Sequence, residues 1–124
     1  NNWSKNGKSI SGSELGVFNT PIDLKFFNNF FYVSDCFNNR ILKFEISGKC
    51  LGWIGKSNKD SNNKLMWYTD DSQIPSFDIN GFNRPYGIMF KNDKVYVADR
   101  RNHRVKIIKS QKIRKQSISK RAFL

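Results

Sequence analysis

The chain has 124 residues, enough for one small domain, and 15% are aromatic, including 11 Phe, a content that argues against a disordered chain. No apolar run is long enough to span a bilayer, and no basic-then-apolar segment reads as a signal peptide. The net charge of +12 is unevenly placed: residues 1–99 hold 12 basic and all 10 acidic side chains (+2), and residues 100–124 hold 10 basic side chains and no acid (+10).

In chain order, Ile22 to Phe26 alternates apolar and polar residues as a half-buried strand does, and Asn28-Asn29 supplies a tight turn. Phe30 to Ser34 is near-continuously apolar, the pattern of a strand covered on both faces. Asp35 to Asn39 turns the chain, Arg40 to Ile46 returns it, Ser47-Gly48 turns it again, and Cys50 to Ile54 reads as a fourth strand ended by Gly55. A shift of 64 residues then repeats the unit without a gap. Phe18-Asn19-Thr20-Pro21 lies over Phe82-Asn83-Arg84-Pro85, Tyr32-Val33-Ser34-Asp35 over Tyr96-Val97-Ala98-Asp99, and Asn38-Asn39-Arg40-Ile41 over Asn102-His103-Arg104-Val105. The second unit therefore predicts strands at 86–90, 94–98 and 104–108, with its fourth strand degraded into Lys112-Ile113-Arg114-Lys115.

Four antiparallel strands joined by hairpins make a propeller blade, so the predicted class is all-β with two blades in an incomplete ring. Phe-Asn-x-Pro, then Tyr-Val-x-Asp, then the Asn-His-Arg-Val of 102–105 resembles the NHL repeat over about residues 13–110. The predicted organisation is residues 1–14 as the end of a preceding blade, 15–56 as the first blade, 57–78 as an insertion, 79–110 as the second blade and 111–124 as a basic tail. Trp3 to Gly7 resembles a preceding blade's last strand, and the first residue is not Met; both point to a piece of a longer chain. Two blades leave apolar faces bare, so the alternative is assembly, with three copies giving six blades.

The blade-turn residues have a structural job. Asp35 and Asp99 are expected to accept backbone N–H bonds of the following turn, Arg40 and Arg104 to pair with those carboxylates, and Asn38 and Asn102 to take the left-handed conformation. His103 aligns with Asn39, which reads as a turn position rather than a catalytic one. Strand alternation places the second-to-third turns and the blade connections on one top face, so Asp99 to Arg104 and the insertion Ser57 to Asp78 share a side.

Function is expected on that face. Trp67 and Tyr68 in the insertion are either an exposed anchor or a short turn of helix folded against the blade. Arg100, Arg101 and His103, with Lys112, Arg114 and Lys115 in the tail, are candidate binding residues. The first functional reading is a non-catalytic scaffold for protein partners. The resemblance implies a second, since some NHL propellers bind single-stranded RNA on a basic top face. It implies a third, a fragment of a propeller lyase or esterase, although one His and scattered carboxylates make a poor metal set. There is no Gly-rich phosphate loop or Gly-x-Ser-x-Gly elbow, and no cofactor is expected. The tail is a solvated extension, a nucleic-acid arm, or a segment docked through Ile113, Ile118 and Phe123. Cys36 and Cys50 lack disulfide or metal spacing and read as small hydrophobes, which favours a reducing compartment such as the cytoplasm.

Overall fold

A computed structural model describes residues 12–13, 15–57, 65–69 and 77–109. Strands β1 (Pro21–Phe27) and β2 (Phe30–Asp35) form an antiparallel hairpin in which Phe27 faces Phe30 and Lys25 faces Tyr32. Its two-residue loop is Asn28-Asn29, with φ of 50° and 67°, and two consecutive left-handed residues match the right-handed twist of the flanking strands. A single 3-10 turn, Cys36–Asn38, leads into β3 (Arg40–Glu45), and a tight turn with Gly48 at φ 92° leads into β4 (Cys50–Gly55).

The second unit repeats this plan. Strands β6 (Pro85–Lys91) and β7 (Lys94–Asp99) are joined by Asn92-Asp93, again both left-handed, and a 3-10 turn, Arg100–Asn102, opens β8 (Arg104–Lys109). Both sheets are antiparallel, so the protein is all-β, built of propeller blades that do not close a ring among the described residues. The degraded fourth strand at Lys112–Lys115, the Trp3 to Gly7 segment and the basic tail lie outside the described residues.

Leu65 to Tyr68 form neither of the two expected arrangements, an exposed anchor or a short turn of helix against the blade: Met66–Tyr68 is a half-buried strand, β5, which pairs with β4 and makes the first sheet five-stranded. An outer strand offers a row of unpaired N–H and C=O groups, and a passing segment satisfies its own backbone by adding to it. Gly52 permits the approach: a Cβ there would stand 2.6 Å from the Tyr68 carbonyl oxygen.

Alternation along the strands splits the apolar residues into two cores. Between the sheets lie Tyr32, Ile41, Ile54, Phe82, Ile88, Val95, Val97 and Ile108, with Phe27 stacked on Phe90 at 4.4 Å between ring centroids. On the other face of the first sheet, Val33, Leu42, Phe44 and Trp53 gather with Phe18, Phe31 and Tyr68. Each fully buried Val, Leu or Ile adds about 1.5–3 kcal/mol. Lys43 is buried as well, its ammonium 4.1 Å from the Phe30 ring centroid and within 6 Å of those of Tyr32 and Trp67.

Side-chain hydrogen bonds latch the blades among the described residues. Ser34 Oγ donates to the Pro85 carbonyl (2.8 Å), Ile88 N to Asp23 Oδ2 (2.7 Å) and Arg84 N to Asn39 Oδ1 (2.8 Å). Burial pushes the Asp23 carboxyl up. The hydrogen bonds from Lys25, Ile88 and Leu24, together with the Lys25 charge, outweigh it and hold the carboxyl below its ordinary value.

Candidate interaction surface

The turn between the second and third strands of each blade is organised around one buried carboxylate. In the first blade, Asp35 Oδ1 accepts from Asn19 N (2.7 Å), and Oδ2 accepts from Asn38 Nδ2 (2.9 Å) and Arg40 Nε (2.8 Å). Arg40 Nη2 continues to the Val17 carbonyl (2.8 Å). In the second, Asp99 Oδ1 accepts from Asn83 N (2.7 Å), Oδ2 from Asn102 Nδ2 (2.8 Å) and Arg104 Nε (2.9 Å), and Arg104 Nη2 reaches the carbonyls of Ile79 and Gly81. The six positions expected to build the turns thus form two matching networks. Burial pushes the Asp35 carboxyl up, against the pull of Asn38, Arg40 and the Asn19 N–H.

Two details of the expected turn are corrected. The carboxylates take N–H groups from the segment entering the blade, not from the turn that follows, because Cys36 N and Phe37 N are already spent on the carbonyls of Thr20 and Asn19. The left-handed residues are Asn39 (φ 54°) and His103 (φ 52°), one position after Asn38 and Asn102. The 3-10 turn consumes residues 36–38 and 100–102, so the reversal falls on the next residue, while the Asn38 and Asn102 amides serve as donors to the aspartates.

These networks hold up a ridge of arginines where the blades meet. The Arg84 guanidinium lies 4.4 Å from the Phe37 ring centroid, and that of Arg100 lies 4.9 Å from the Tyr86 centroid. Both rings are exposed, as are Arg100 and Arg101. Cys36 is buried nearby: burial, with the charge of Asp35, pushes its thiol up against the charges of Arg84, Arg100 and Arg101, and Arg101 N bonds to the carbonyl of Asn83, next to Arg84. Among the described residues no carboxylate forms an ion pair with any of the three. His103 is exposed at the end of the same turn, its N–H bonded to the Arg100 carbonyl.

The other candidates are placed differently. Trp67 and Tyr68 are half-buried on β5: Trp67 packs on the inter-blade core, and Tyr68 lies 4.4 Å from Trp53 and accepts a bond from Ser57 N. The end of the insertion touches the second blade's turn, where Asn102 Nδ2 donates to the Asp78 carbonyl (3.1 Å). Lys112, Arg114 and Lys115 fall outside the described residues. Arg84, Phe37 and Tyr86 were not singled out from sequence. The signal was a difference between repeats: Thr20, Cys36 and Phe37 of the first unit become Arg84, Arg100 and Arg101 in the second.

The fold and its paired turns define a repeat protein of the propeller-blade class. Residues 82–108 match the family model of the NHL repeat, from Phe82 through most of β8, and the first unit carries the same turn chemistry 64 residues earlier. No curated protein matches the chain.

Proposed function

We propose that this chain is a non-catalytic interaction module that binds an acidic protein segment on the arginine ridge. The observation that carries the reading is the set of three guanidiniums that form no ion pair with a carboxylate among the described residues, two of them lying over exposed rings. A guanidinium stacked on a ring keeps its edge donors facing outward, the geometry that accepts a carboxylate through two parallel hydrogen bonds. The Asp35 and Asp99 networks fix the turns that carry Phe37, Arg100 and Arg101, so little ordering is needed on binding. Arg and Tyr are also the residue types that dominate interface energetics.

Single-stranded RNA is the second reading, favoured by the same arginine–ring contacts and by the +10 of residues 100–124. A labelled Glu-rich peptide and a poly(U) oligonucleotide, each titrated against the full chain and against R84A/R100A/R101A, separate the two. The acidic-partner reading expects the peptide to lose at least about tenfold in affinity in the variant, a differential worth 1.4 kcal/mol. Tight poly(U) binding that falls steeply between about 50 and about 200 mM salt, with no peptide binding, replaces it by the RNA reading.

A further inference from the structure

The 64-residue repeat makes the two faces left uncovered by the described residues the two halves of an interface the protein has already formed once. The first blade meets the second through Asp23, Phe27, Tyr32, Ser34 and Ile41. Their repeat positions are Gly87, Lys91, Tyr96, Ala98 and Val105. The second blade meets the first through Ile88, Phe90, Val95, Val97 and Ile108. Those positions map back to Leu24, Phe26, Phe31, Val33 and Phe44, on the opposite face of the first blade.

Among the described residues both outer faces are apolar and open. Leu24, Phe26 and Ile46 are exposed on one, and Met89, Val105 and Ile107 on the other. The first carries a hollow of about 130 Å³ among Phe18, Leu24, Phe31, Val33, Phe44 and Ile46. A space of that order accepts one aliphatic or benzene-sized group. The second is a shallow surface formed by Gly87, Met89, Tyr96, Ala98 and Val105.

We propose that a second copy of this chain seats the outer face of its second blade on the outer face of the first blade, head to tail. Such a contact continues the established blade–blade register, with Met89 or Ile107 filling the hollow. The repeat differences favour it, except at Lys91, which stands where the internal interface has Phe27 and must carry its ammonium to the rim of the contact. The polar groups that latch or line the internal interface, Asp23, Ser34 and Lys43, are replaced at their repeat positions by Gly87, Ala98 and Ile107. The outer face therefore buries none of these three polar groups when covered, and an unpaired buried polar group is what would make such a contact costly. A heterologous contact of this kind either closes a ring or runs on as a filament. Closure at four, six or eight blades takes two, three or four copies.

The test is the mass of the full 124-residue chain in solution, followed over concentration and salt. The expected mass is two to four times 14.5 kDa for a closed ring, and a larger mass that grows with concentration for a filament. Because the contact is apolar and each copy carries +12, association should hold or strengthen from about 50 to about 200 mM salt, where binding of an anion to the arginine ridge weakens. This separates failure of the assembly from failure of the ridge as a binding surface. F26E and I107E each block one face at side chains 55% and 57% exposed, so neither disturbs the core. Each variant alone should be monomeric, and the two mixed should form a one-to-one dimer that grows no further. L24E and V105E repeat the experiment if either fails to fold. A wild-type chain that stays monomeric, single variants that still self-associate, or a mixture that does not pair would each overturn the proposal.

Discussion

Replacing Asp35 by Ala removes one carboxylate that accepts from three groups, Asn19 N, Asn38 Nδ2 and Arg40 Nε, of which Asn38 Nδ2 keeps its bond to the Gly12 carbonyl. The Arg40 side chain is 1% exposed, so its charge stays buried after its carboxylate partner is gone, and the bond to the Val17 carbonyl and the Trp53 ring 5.9 Å away do not neutralise it. Removing one partner of a buried ion pair costs about 3–5 kcal/mol. Asp99→Ala removes the equivalent acceptor, but the Arg104 side chain is 29% exposed and keeps the Ile79 and Gly81 carbonyls. Water recovers part of that loss, and the expected cost is about 1–3 kcal/mol. A whole domain is stable by only about 5–15 kcal/mol, so Asp35→Ala should bring the protein near its unfolding threshold and Asp99→Ala should not. Urea titration followed by the fluorescence of the buried Trp53 measures both. In the cycle of Asp99→Ala, Arg104→Ala and the double variant, the double should cost less than the sum by about 0.5–3 kcal/mol. An Asp99 variant as costly as the Asp35 variant, or a strictly additive cycle, refutes the reasoning.

Asn39→Ala loses both the amide preference for the left-handed conformation and the bond to Arg84 N, for an expected cost of about 1–3 kcal/mol, whereas Asn39→Gly loses only the bond. Equal thermal shifts for the two variants would contradict this. Gly52→Ala places a Cβ 2.6 Å from the Tyr68 carbonyl in a conformation, φ 150°, that side chains rarely adopt. It should detach β5 from β4, seen as faster amide exchange at Trp53 and Tyr68 with the β6–β7 hairpin unchanged. The Asp23 carboxyl is held below its ordinary value in the folded protein, so its contribution is fully present above the ordinary carboxylate value near 4 and is lost as pH falls through the lowered one. Asp23→Asn should therefore flatten the loss of stability in that acid window, and superimposable curves of unfolding free energy against pH would count against the latch.

The strands were legible because alternation and a gapless 64-residue repeat reinforce each other, as in β1 and β2 against β6 and β7. The Asp35–Arg40 and Asp99–Arg104 pairs were legible too, since five residues across a tight turn leave a carboxylate and a guanidinium little choice of partner. Three residues amid Lys, Asn and Asp are too few to show a period, and β5 owes its form to the open edge of β4 rather than to its own sequence. The left-handed position was displaced by one because the 3-10 turn, which no residue type announces, uses up the preceding three. The arginine ridge was half visible: Arg100 and Arg101 belong to a charge run, but Arg84 over Phe37 joins residues 47 apart in sequence. Such a pairing exists only once two sheets have docked.

The Asn28-Asn29 and Asn92-Asp93 loops bear on the order in which the protein is assembled. Each closes its hairpin over two residues, so β1–β2 and β6–β7 pair at almost no loop-closure cost, on the microsecond scale of isolated hairpins. The bonds that join the blades, Ser34 to Pro85 and Asp23 to Ile88, span 51 and 65 residues and carry most of the chain entropy still to be lost. The expected order is two local hairpins first and a slower docking step after them, which stopped-flow refolding of hairpin-loop and inter-blade variants checks. Substitutions at the hairpin loops change the folding rate, and substitutions at the inter-blade bonds speed unfolding.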